Sequence, residues 1–498
     1  MITSWRLFNF KSFRDDTTVK LGPLTVLAGA NSSGKSTLLQ SMLMVAQTLE
    51  SRVASRPVVL NGPFVRLGTF DDVRSHGSES VSVLVGFELA ANETAVAGEL
   101  VFDGGADPAD QGRLHPLLLS SDMARWSRDS VIFDSLVSAR VRRAPVAPGE
   151  RARALGLDVA DDTLPPLTYE LRVTGKNALV RTDHKYTGCT LEHFLVKDVY
   201  DIEPENPQRL VRVGPFNEIR DAADLLCGHF AHLRYLGPLR DDPRALYPLS
   251  TTADTTDVGL RGEHTAAVYD LHRQSLVRYV PTGNFPTPAP NAGGVVTDTR
   301  TRTLESAVTE WLQYLGVVES ITTRDLGNLG HELKVSTAGD PTPHNLTHVG
   351  AGVSQVLPIV VMCLLAAPDT TLLIEQPELH LHPRVQTLLG DFFLAAAMAG
   401  KQVIVETHSE YLVNRLRYRI AASEGDRVAQ FVKTYFVEKD AKGASVFRAV
   451  NVNNYGAITE WPKGFFDQSQ REIEQILLAG SMKKKAERGG GRDGKPGA

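Results

Sequence analysis

Three short segments of this 498-residue chain carry residue types that could hold and act on phosphate groups. The first is residues 29–37 (GANSSGKST), a loop rich in glycine and serine in which Lys35 supplies a positive charge. Backbone N–H groups of such a loop bind phosphate oxygens, the lysine reaches the outer phosphates, and the Ser36 hydroxyl ligates Mg²⁺. The candidate nucleotide-binding residues of this loop are Gly29, Asn31, Ser32, Ser33, Gly34, Lys35, Ser36 and Thr37.

The other two segments are apolar runs that end in polar residues. Residues 371–374 (TLLI) are followed by EQPE, and residues 402–405 (QVIV) are followed by ETHS. We expect Glu375 to hold the Mg²⁺ shell through water and His408 to sense the outermost phosphate. Solvated acids at a strand end and a structural histidine are the alternatives. The lysine loop upstream favours the functional interpretation.

These segments need a parallel sheet to bring them together. Residues 24–28 predict a strand, and apolar positions with helical spacing follow the loop. The runs 371–374 and 402–405 are typical of parallel strands that are covered on both faces. Since ligands bind at the carboxyl edge of such a sheet, the two strands should lie side by side and present Glu375 and His408 there.

Further segments give the chain a resemblance to a known group. Residues 5–13 (WRLFNFKSF), 345–355 (NLTHVGAGVSQ) and 379–383 (LHLHP) resemble segments of the ABC-type ATPases of the RecF, SMC and overcoming-lysogenization-defect class. They are similar to the N-terminal strand and basic turn, the signature loop, and the segment after the Walker B strand. The resemblance implies an α/β fold: a P-loop ABC-type ATPase core with a mixed sheet and helices, plus an inserted lid or dimerisation lobe. It implies ATP and Mg²⁺ as cofactors.

The chain resembles one bacterial subgroup of single-chain ATPases more closely. This subgroup is related to the ATPase subunit of the Septu anti-phage system. The likeness rests on residues 235–240 (YLGPLR), 259–265 (GLRGEHT) and 461–467 (WPKGFFD). It favours a phosphate contact for Arg240, although an ion pair with a neighbouring aspartate would also account for this arginine.

The resemblance assigns roles in catalysis, with one departure. The candidate catalytic residues are Glu375, Gln376, Glu378 and His408, and the candidate Mg²⁺ ligands are Ser36 and Glu375. Gln376 stands where this class carries a catalytic glutamate. An amide cannot take a proton from water as a carboxylate can, although it can orient that water. Glu378 is a substitute base at a different position.

The signature loop departs from the class as well. Gly350 stands where a serine is usual, and Ser354 comes later. The candidate nucleotide contacts in this loop are Gly350, Gly352 and Ser354. With both departures, we expect hydrolysis that is slow or that needs a partner.

The composition is that of an ordinary globular protein. Apolar residues make up 42% and charged residues 22%, and a net charge of −5 gives no overall basic signature for nucleic acid. The cysteines, Cys189, Cys227 and Cys363, lack metal-ligand spacing, which is typical of a reducing compartment. With no signal-peptide pattern and no apolar run long enough for a bilayer, we expect a cytoplasmic location and no membrane partner.

The spacing of the motifs predicts an insertion. We expect an N-terminal core lobe with Walker A at 1–90, an inserted lid lobe at 91–229, a C-terminal core lobe with the signature, Walker B and histidine switch at 230–480, and a disordered basic tail at 481–498. Residues 186–230 show a mixed helical pattern. No sustained heptad pattern supports coiled-coil arms.

The resemblance implies an enzyme that two copies complete. In this class two nucleotides are sandwiched between the phosphate loop of one subunit and the signature loop of the other, which implies a homodimer formed through the nucleotide. Residues after His408 lack the acidic metal cluster of a nuclease domain. The expected partner is therefore a separately encoded effector, such as a nuclease, in prokaryotic anti-phage defence, with DNA as a further candidate. A RecF-like DNA repair ATPase and a non-hydrolysing, nucleotide-gated scaffold are the alternatives.

Overall fold

The structure is a computed structural model that describes residues 1–52, 58–80, 82–91, 94–103, 136–143, 168–174, 177–181, 188–193, 195–203, 206–214, 217–247, 255–286, 294–337, 339–350, 352–460, 466 and 468–489. Its strands are β1 (Ile2–Phe8), β2 (Thr17–Lys20), β3 (Leu24–Gly29), β4 (Ser82–Ala91), β5 (Thr94–Asp103), β6 (Leu136–Arg143), β7 (Thr168–Thr174), β8 (Asn177–Arg181), β9 (Gly188–Glu192), β10 (Leu195–Glu203), β11 (Asn206–Gly214), β12 (Arg234–Leu236), β13 (Leu276–Tyr279), β14 (Arg300–Thr303), β15 (Ser320–Asp325), β16 (His331–Thr337), β17 (Asp340–Asn345), β18 (Thr371–Glu375), β19 (Gln402–Thr407), β20 (Val432–Lys439) and β21 (Ser445–Ala449). Its α-helices are α1 (Lys35–Leu49), α2 (Phe70–Val73), α3 (Asn217–Ala231), α4 (Thr265–His272), α5 (Leu304–Leu315), α6 (Gly352–Leu365), α7 (Pro383–Met398), α8 (Glu410–Ala421) and α9 (Gln468–Gly489).

The site is built on a six-stranded sheet with the order β12-β18-β19-β3-β20-β21. Strands β18, β19 and β3 are parallel neighbours, which confirms that the two predicted motif strands lie side by side. Every residue of these three strands is buried. A strand between two covered faces needs apolar residues at consecutive positions, and this explains the uninterrupted apolar runs in the sequence.

Alternate residues of the central strands belong to two hydrophobic cores. Leu27, Leu373 and Ile404 pack in one cluster with apolar residues of α1 and β1, whereas their neighbours along the strands pack in a second cluster with α5 to α8. Successive side chains of a strand point to opposite faces, so the sheet separates the two cores. The carboxyl ends of its strands converge on the phosphate loop.

A second, antiparallel sheet has the order β2-β1-β4-β5-β6-β7-β8. Strands β4 and β5 pair antiparallel, with Ala91 opposite Thr94, so the lobe boundary expected near residue 90 falls within one sheet. Trp5 of β1 stacks on Phe87 of β4 (5.5 Å between ring centroids) and donates to the Ser41 hydroxyl of α1 at 2.8 Å.

The helical pattern expected for residues 186–230 is wrong up to Gly214, because β9, β10 and β11 form a sheet of their own. Among the described residues of this stretch, only those of α3 are helical.

The C-terminal part contains the predicted hairpin, formed by β20 and β21. Helix α9 continues through Gly489, into the segment from residue 481 for which the sequence predicts a disordered tail. Lys, Ala, Glu and Arg in this stretch are good helix formers, and the side chains described for this helix, at residues 472–483, are exposed. Among the described residues, no helix is both long and apolar enough to cross a membrane.

Candidate nucleotide-binding site

The phosphate loop runs from β3 to α1 through backbone conformations that favour glycine. Gly29 and Gly34 have φ angles of 153° and 107°. A Cβ on Gly29 would lie 2.3 Å from the carbonyl oxygen of Val437, and one on Gly34 would lie 2.3 Å from the Ser445 Oγ. The Ser445 hydroxyl also donates to the Ser33 carbonyl at 2.5 Å. The hairpin β20–β21 therefore holds the loop from behind, and neither glycine can be replaced without moving it.

Lys35 lies in the first turn of α1 and is 3% exposed. Its ammonium donates to the carbonyls of Gly29 (3.1 Å) and Ala30 (2.7 Å). An ammonium group has three N–H donors, so one remains for an anion. Burial lowers the pKa of Lys35, and the charges of Glu406 and Glu378 act in the opposite direction. These two acids offset part of the cost of burying the cation.

One open cavity of about 220 Å³ brings the three sequence motifs together. It is lined by Ser12, Asn31, Ser32, Ser33, Gly34, Lys35, Ser36, Thr37, Gln376, Glu406 and His408. The structure thus places residues from the loop and from both strand ends around one space. Ser12 was not a candidate site residue from the sequence. Its Oγ lies 3.3 Å from the Oγ1 of Thr37.

Glu375 ends β18 and is 6% exposed, but it is not among the residues that line this cavity. Its Oε1 accepts a hydrogen bond from the Tyr235 hydroxyl at 3.0 Å. Burial, followed by the charge of Glu406, raises the pKa of Glu375 to about 7. Strand β19 separates this carboxyl from the strand that leads into the phosphate loop.

Glu406, which the sequence did not suggest as a site residue, lies closer to the loop. It is the in-register neighbour of Glu375 on β19 and is 2% exposed. Its Oε1 accepts a hydrogen bond from the Ser36 hydroxyl at 3.0 Å. Burial raises the pKa of Glu406, while the Ser36 hydrogen bond and the charge of Lys35 lower it. The available signal was its place at the carboxyl end of a strand beside the Glu375 strand.

Gln376 and Glu378 follow β18 and have different environments. Gln376 is half-buried, has a φ of 42° and donates its backbone N–H to the carbonyl of Glu406 at 2.7 Å. Glu378 is 8% exposed, and each of its carboxylate oxygens accepts a hydrogen bond: from the Thr407 hydroxyl at 2.8 Å and from the His408 backbone N–H at 2.5 Å. Burial raises the pKa of Glu378. Gln376 lines the cavity, whereas the carboxylate of Glu378 accepts hydrogen bonds from protein.

His408 lines the cavity directly after β19. Burial lowers the pKa of His408, the charge of Lys35 lowers it further, and a hydrogen bond with the Gly29 backbone acts against both. The imidazole is therefore neutral at pH 7, with one ring nitrogen as donor and the other as acceptor. In this form it can contact a phosphate oxygen without adding a charge.

Arg240 lies behind the acids rather than in the cavity. It is 5% exposed, and its Nη2 donates to the backbone carbonyl of Glu375 at 3.1 Å. Its Nε and Nη1 are buried without a hydrogen-bond partner in the described structure. Burial lowers the pKa of Arg240 to about 10, so it stays cationic at pH 7. The structure thus places this charge next to Glu375 and not on the lining of the cavity.

The signature-like loop is separate from the cavity. Gly350 precedes α6, Gly352 begins it and Ser354 lies in its first turn, and none of the three lines the space around the phosphate loop. A Cβ on Gly350 would meet no atom within 4 Å, whereas one on Gly352 would lie 3.6 Å from Leu381. Within one chain, then, these predicted nucleotide contacts do not join the residues of the phosphate loop.

The donor set around Ser36 fits a Mg²⁺ ion held together with a nucleotide. Glu406 offers a carboxylate next to the Ser36 hydroxyl, and its Oε2 is buried without a hydrogen-bond partner among the described atoms. No group of three His, Cys, Asp or Glu side chains in the described residues could hold a metal by itself. Mg²⁺ needs no such group, because it keeps waters and takes phosphate oxygens beside one or two carboxylates.

Two family models match parts of the chain. Residues 327–414 match a family described as "AAA domain, putative AbiEii toxin, Type IV TA system". Residues 430–476 match one described as "Protein of unknown function (DUF3696)". No curated protein matches the chain. The central parallel sheet, the phosphate loop between β3 and α1, and the AAA match together give the chain the mixed α/β fold of a P-loop ATPase core.

Solved SMC head structures resemble the chain in outline. The SMC head domain from Thermotoga maritima covers 91% of this chain and 99% of its own, with a TM-score of 0.39 and 10% identity. An SMC head bound to the C-winged helix domain of ScpA covers 91% of this chain and 98% of its own, with a TM-score of 0.40 and 12% identity. A third structure is an SMC head domain with an extended coiled coil, bound to the C-terminal domain of ScpA derived from Pyrococcus furiosus. It covers 96% of this chain and 99% of its own, with a TM-score of 0.41 and 11% identity. Similarity at this level does not identify a function.

Proposed function

We propose that the protein binds ATP with Mg²⁺ and hydrolyses it slowly, as an ABC-class ATPase. The observation that carries this proposal is the single cavity in which Lys35, Gln376 and His408 meet. The loop N–H groups and the start of α1 favour anionic phosphates, and the free N–H of Lys35 adds a charge-assisted hydrogen bond. Mg²⁺, when bound with the nucleotide, neutralises phosphate charge.

The slow rate follows from the state of the carboxylates. Both oxygens of Glu378 accept hydrogen bonds from protein, and Glu375 is held by Tyr235 outside the cavity. Gln376 faces the cavity and can orient a water, but its amide cannot accept the water's proton. His408 is a weak base because its pKa is lowered. The attacking water is therefore positioned without a strong proton acceptor.

The nucleotide also joins two copies of the chain in this proposal. Gly350 precedes α6, away from the cavity, with open space around it. Since the signature-like loop lies away from the phosphate loop of its own chain, it can contact a nucleotide only on a second subunit. Each signature-like loop therefore covers the nucleotide that is bound to the partner. The ATP-bound dimer is long-lived because hydrolysis is slow.

The dimer would control a separately encoded effector, such as a nuclease, in prokaryotic anti-phage defence. Supporting this are the resemblance to the Septu-related subgroup and the wording of the family match over residues 327–414, which names a toxin. A RecF-like DNA repair ATPase and a nucleotide-gated scaffold are the competing functions.

Light scattering tests the nucleotide-linked dimer. ATP with Mg²⁺ should double the mass of the wild-type protein. Gly350→Trp should prevent this while ATP still binds, since a Cβ at this position meets no atom within 4 Å and the position lies away from the cavity. Gly283→Trp is the matched control, because a Cβ on Gly283 also meets no atom within 4 Å and this residue lies in a short 3-10 helix, Thr282–Asn284. A mass that does not respond to nucleotide would overturn the proposal.

A further inference from the structure

Glu406 combines burial, an unused oxygen atom and proximity to the phosphate loop. It is 2% exposed and lines the cavity. Its Oε1 accepts from the Ser36 hydroxyl, and its Oε2 is buried without any hydrogen-bond partner in the described structure. A buried carboxylate oxygen with no partner is costly unless a ligand satisfies it.

We propose that Glu406, rather than Glu375, is the carboxylate that binds the Mg²⁺ of the nucleotide directly, in partnership with Ser36. This inference rests on the proposed ATP binding, because the remaining ligands of the ion would be phosphate oxygens and water. Glu406 lies in the third sequence motif, where the sequence alone assigned it no role.

The distance between the two protein ligands supports the assignment. Ser36 Oγ and Glu406 Oε1 lie 3.0 Å apart. Neighbouring ligands of an octahedral Mg²⁺ ion, each at about 2.1 Å from the metal, are separated by about 3.0 Å. The hydroxyl and the carboxylate therefore already have the spacing of adjacent corners of the octahedron. An ion placed there would replace the hydrogen bond between them.

The surroundings of Glu375 make it a poorer ligand. Its Oε1 already accepts from Tyr235, Arg240 lies against its backbone carbonyl, and it does not line the cavity. It also lies one strand further from the phosphate loop than Glu406 does. Glu375 thus has polar partners of its own, with Arg240 as its nearby positive charge. The nearby positive charge of Glu406 is Lys35, a cation that also serves the phosphates.

Equilibrium binding of a fluorescent ATP analogue, in EDTA and in Mg²⁺, tests the assignment. In Glu406→Gln, the affinity gain that Mg²⁺ produces should fall at least about tenfold. Its metal-free affinity should be retained, which also shows that the variant is folded. Glu375→Gln is the matched control and should keep the gain. Electron paramagnetic resonance of Mn²⁺ added with ATP should show the same contrast, with bound Mn²⁺ lost only in Glu406→Gln.

A double-mutant cycle tests the shared ion. Ser36→Ala should reduce the Mg²⁺-dependent gain, and combining it with Glu406→Gln should cost less than the sum of the single effects, since both ligands hold one ion. If Glu406→Gln keeps the gain, or if both glutamate variants lose it equally, the assignment to Glu406 is overturned while ATP binding stands. A wild-type protein that binds no nucleotide would overturn the proposed function together with this inference.

Discussion

The carboxylate of Glu378 joins the two strand ends of the site. One oxygen accepts from the Thr407 hydroxyl at 2.8 Å and the other from the His408 backbone N–H at 2.5 Å. Because β18 and β19 are parallel neighbours, this pair of hydrogen bonds ties the turn after one strand to the histidine loop after the other. Glu378 is thus placed to position His408, and it is not among the residues that line the cavity.

Glu378→Gln should slow ATP hydrolysis and retain most ATP binding. The amide presents one acceptor where two donors converge, so a buried donor loses its partner at a cost of about 1–3 kcal/mol in the free energy of unfolding. Phosphate release and equilibrium binding measure the two effects. If Glu378 acts through His408, adding Glu378→Gln to His408→Ala should slow hydrolysis no further. Glu319→Gln, at an exposed acid, is the control. Fully additive losses would contradict the positioning role.

Lys35→Ala should remove most of the affinity for ATP. The ammonium is the buried cation of the phosphate loop, and a hydrogen bond to a charged group contributes about 1.5–3 kcal/mol, so the loss should be at least about tenfold. Lys442→Ala removes an exposed lysine from the turn between β20 and β21 and should leave the affinity unchanged. Equal affinities in the three proteins, measured with labelled ATP, would rule out this loop as the phosphate site.

Glu375 should make the metal-free protein less stable as the pH rises. Its folded pKa of about 7 lies above the ordinary value of 4.5. Between these two values the unfolded state holds fewer protons than the folded state, so the free energy of unfolding falls with increasing pH. Urea unfolding in EDTA at pH 5 and pH 8 should show a larger loss for the wild type than for Glu375→Gln. The same loss in both proteins would mean that this carboxyl does not titrate as stated.

Asp391 should be a main determinant of stability. It is completely buried on α7 and accepts hydrogen bonds from Arg415 and Arg419 of α8 and from the Tyr314 hydroxyl of α5. Asp391→Asn leaves two buried guanidinium groups without a counter-charge, which should cost about 3–5 kcal/mol in the free energy of unfolding. Urea denaturation measures this, with Asp298→Asn at an exposed position as the control. A loss no larger than that of the control would show that the network is dispensable.

The local pattern of the sequence was enough to predict the central elements of the fold. Strands β3, β18 and β19 are continuous apolar runs, and the hairpin β20–β21 has a turn signal between two strand-like segments. The adjacency of the two motif strands followed from the rule that sites form at the carboxyl edge of parallel strands. The strands between residues 188 and 214 were not predicted, because their mixture of apolar and polar residues also fits a helical period.

The side-chain partners at the site could not be predicted in the same way. In the sequence, Glu406 simply follows an apolar run. Its position beside the phosphate loop becomes evident from its register opposite Glu375 and its hydrogen bond with Ser36. Ser445 holds the phosphate loop from more than 400 residues away in sequence. Tertiary contacts of this kind leave no periodic trace in the sequence.

Gln376→Glu tests whether the missing carboxylate sets the rate of hydrolysis. Gln376 lines the cavity, and its backbone N–H donates a hydrogen bond to the Glu406 carbonyl. The substitution therefore adds a carboxylate at the cavity, where it can accept a proton from water. We expect wild-type turnover below about 1 s⁻¹, the lower end of the range for kinases, and a faster rate in the variant. Steady-state phosphate release at saturating ATP and Mg²⁺ measures both.

Gln376→Ala separates the two roles that the glutamine could have. If the amide orients the attacking water, the alanine variant should hydrolyse ATP more slowly than the wild type, although ATP binding is retained because the phosphate loop is untouched. The expected order of rates is then glutamate, glutamine, alanine, from fastest to slowest. A fast wild type that slows in Gln376→Glu would mean that glutamine is the working residue, since an added negative charge beside Glu406 and the phosphates would then cost more than the new base contributes.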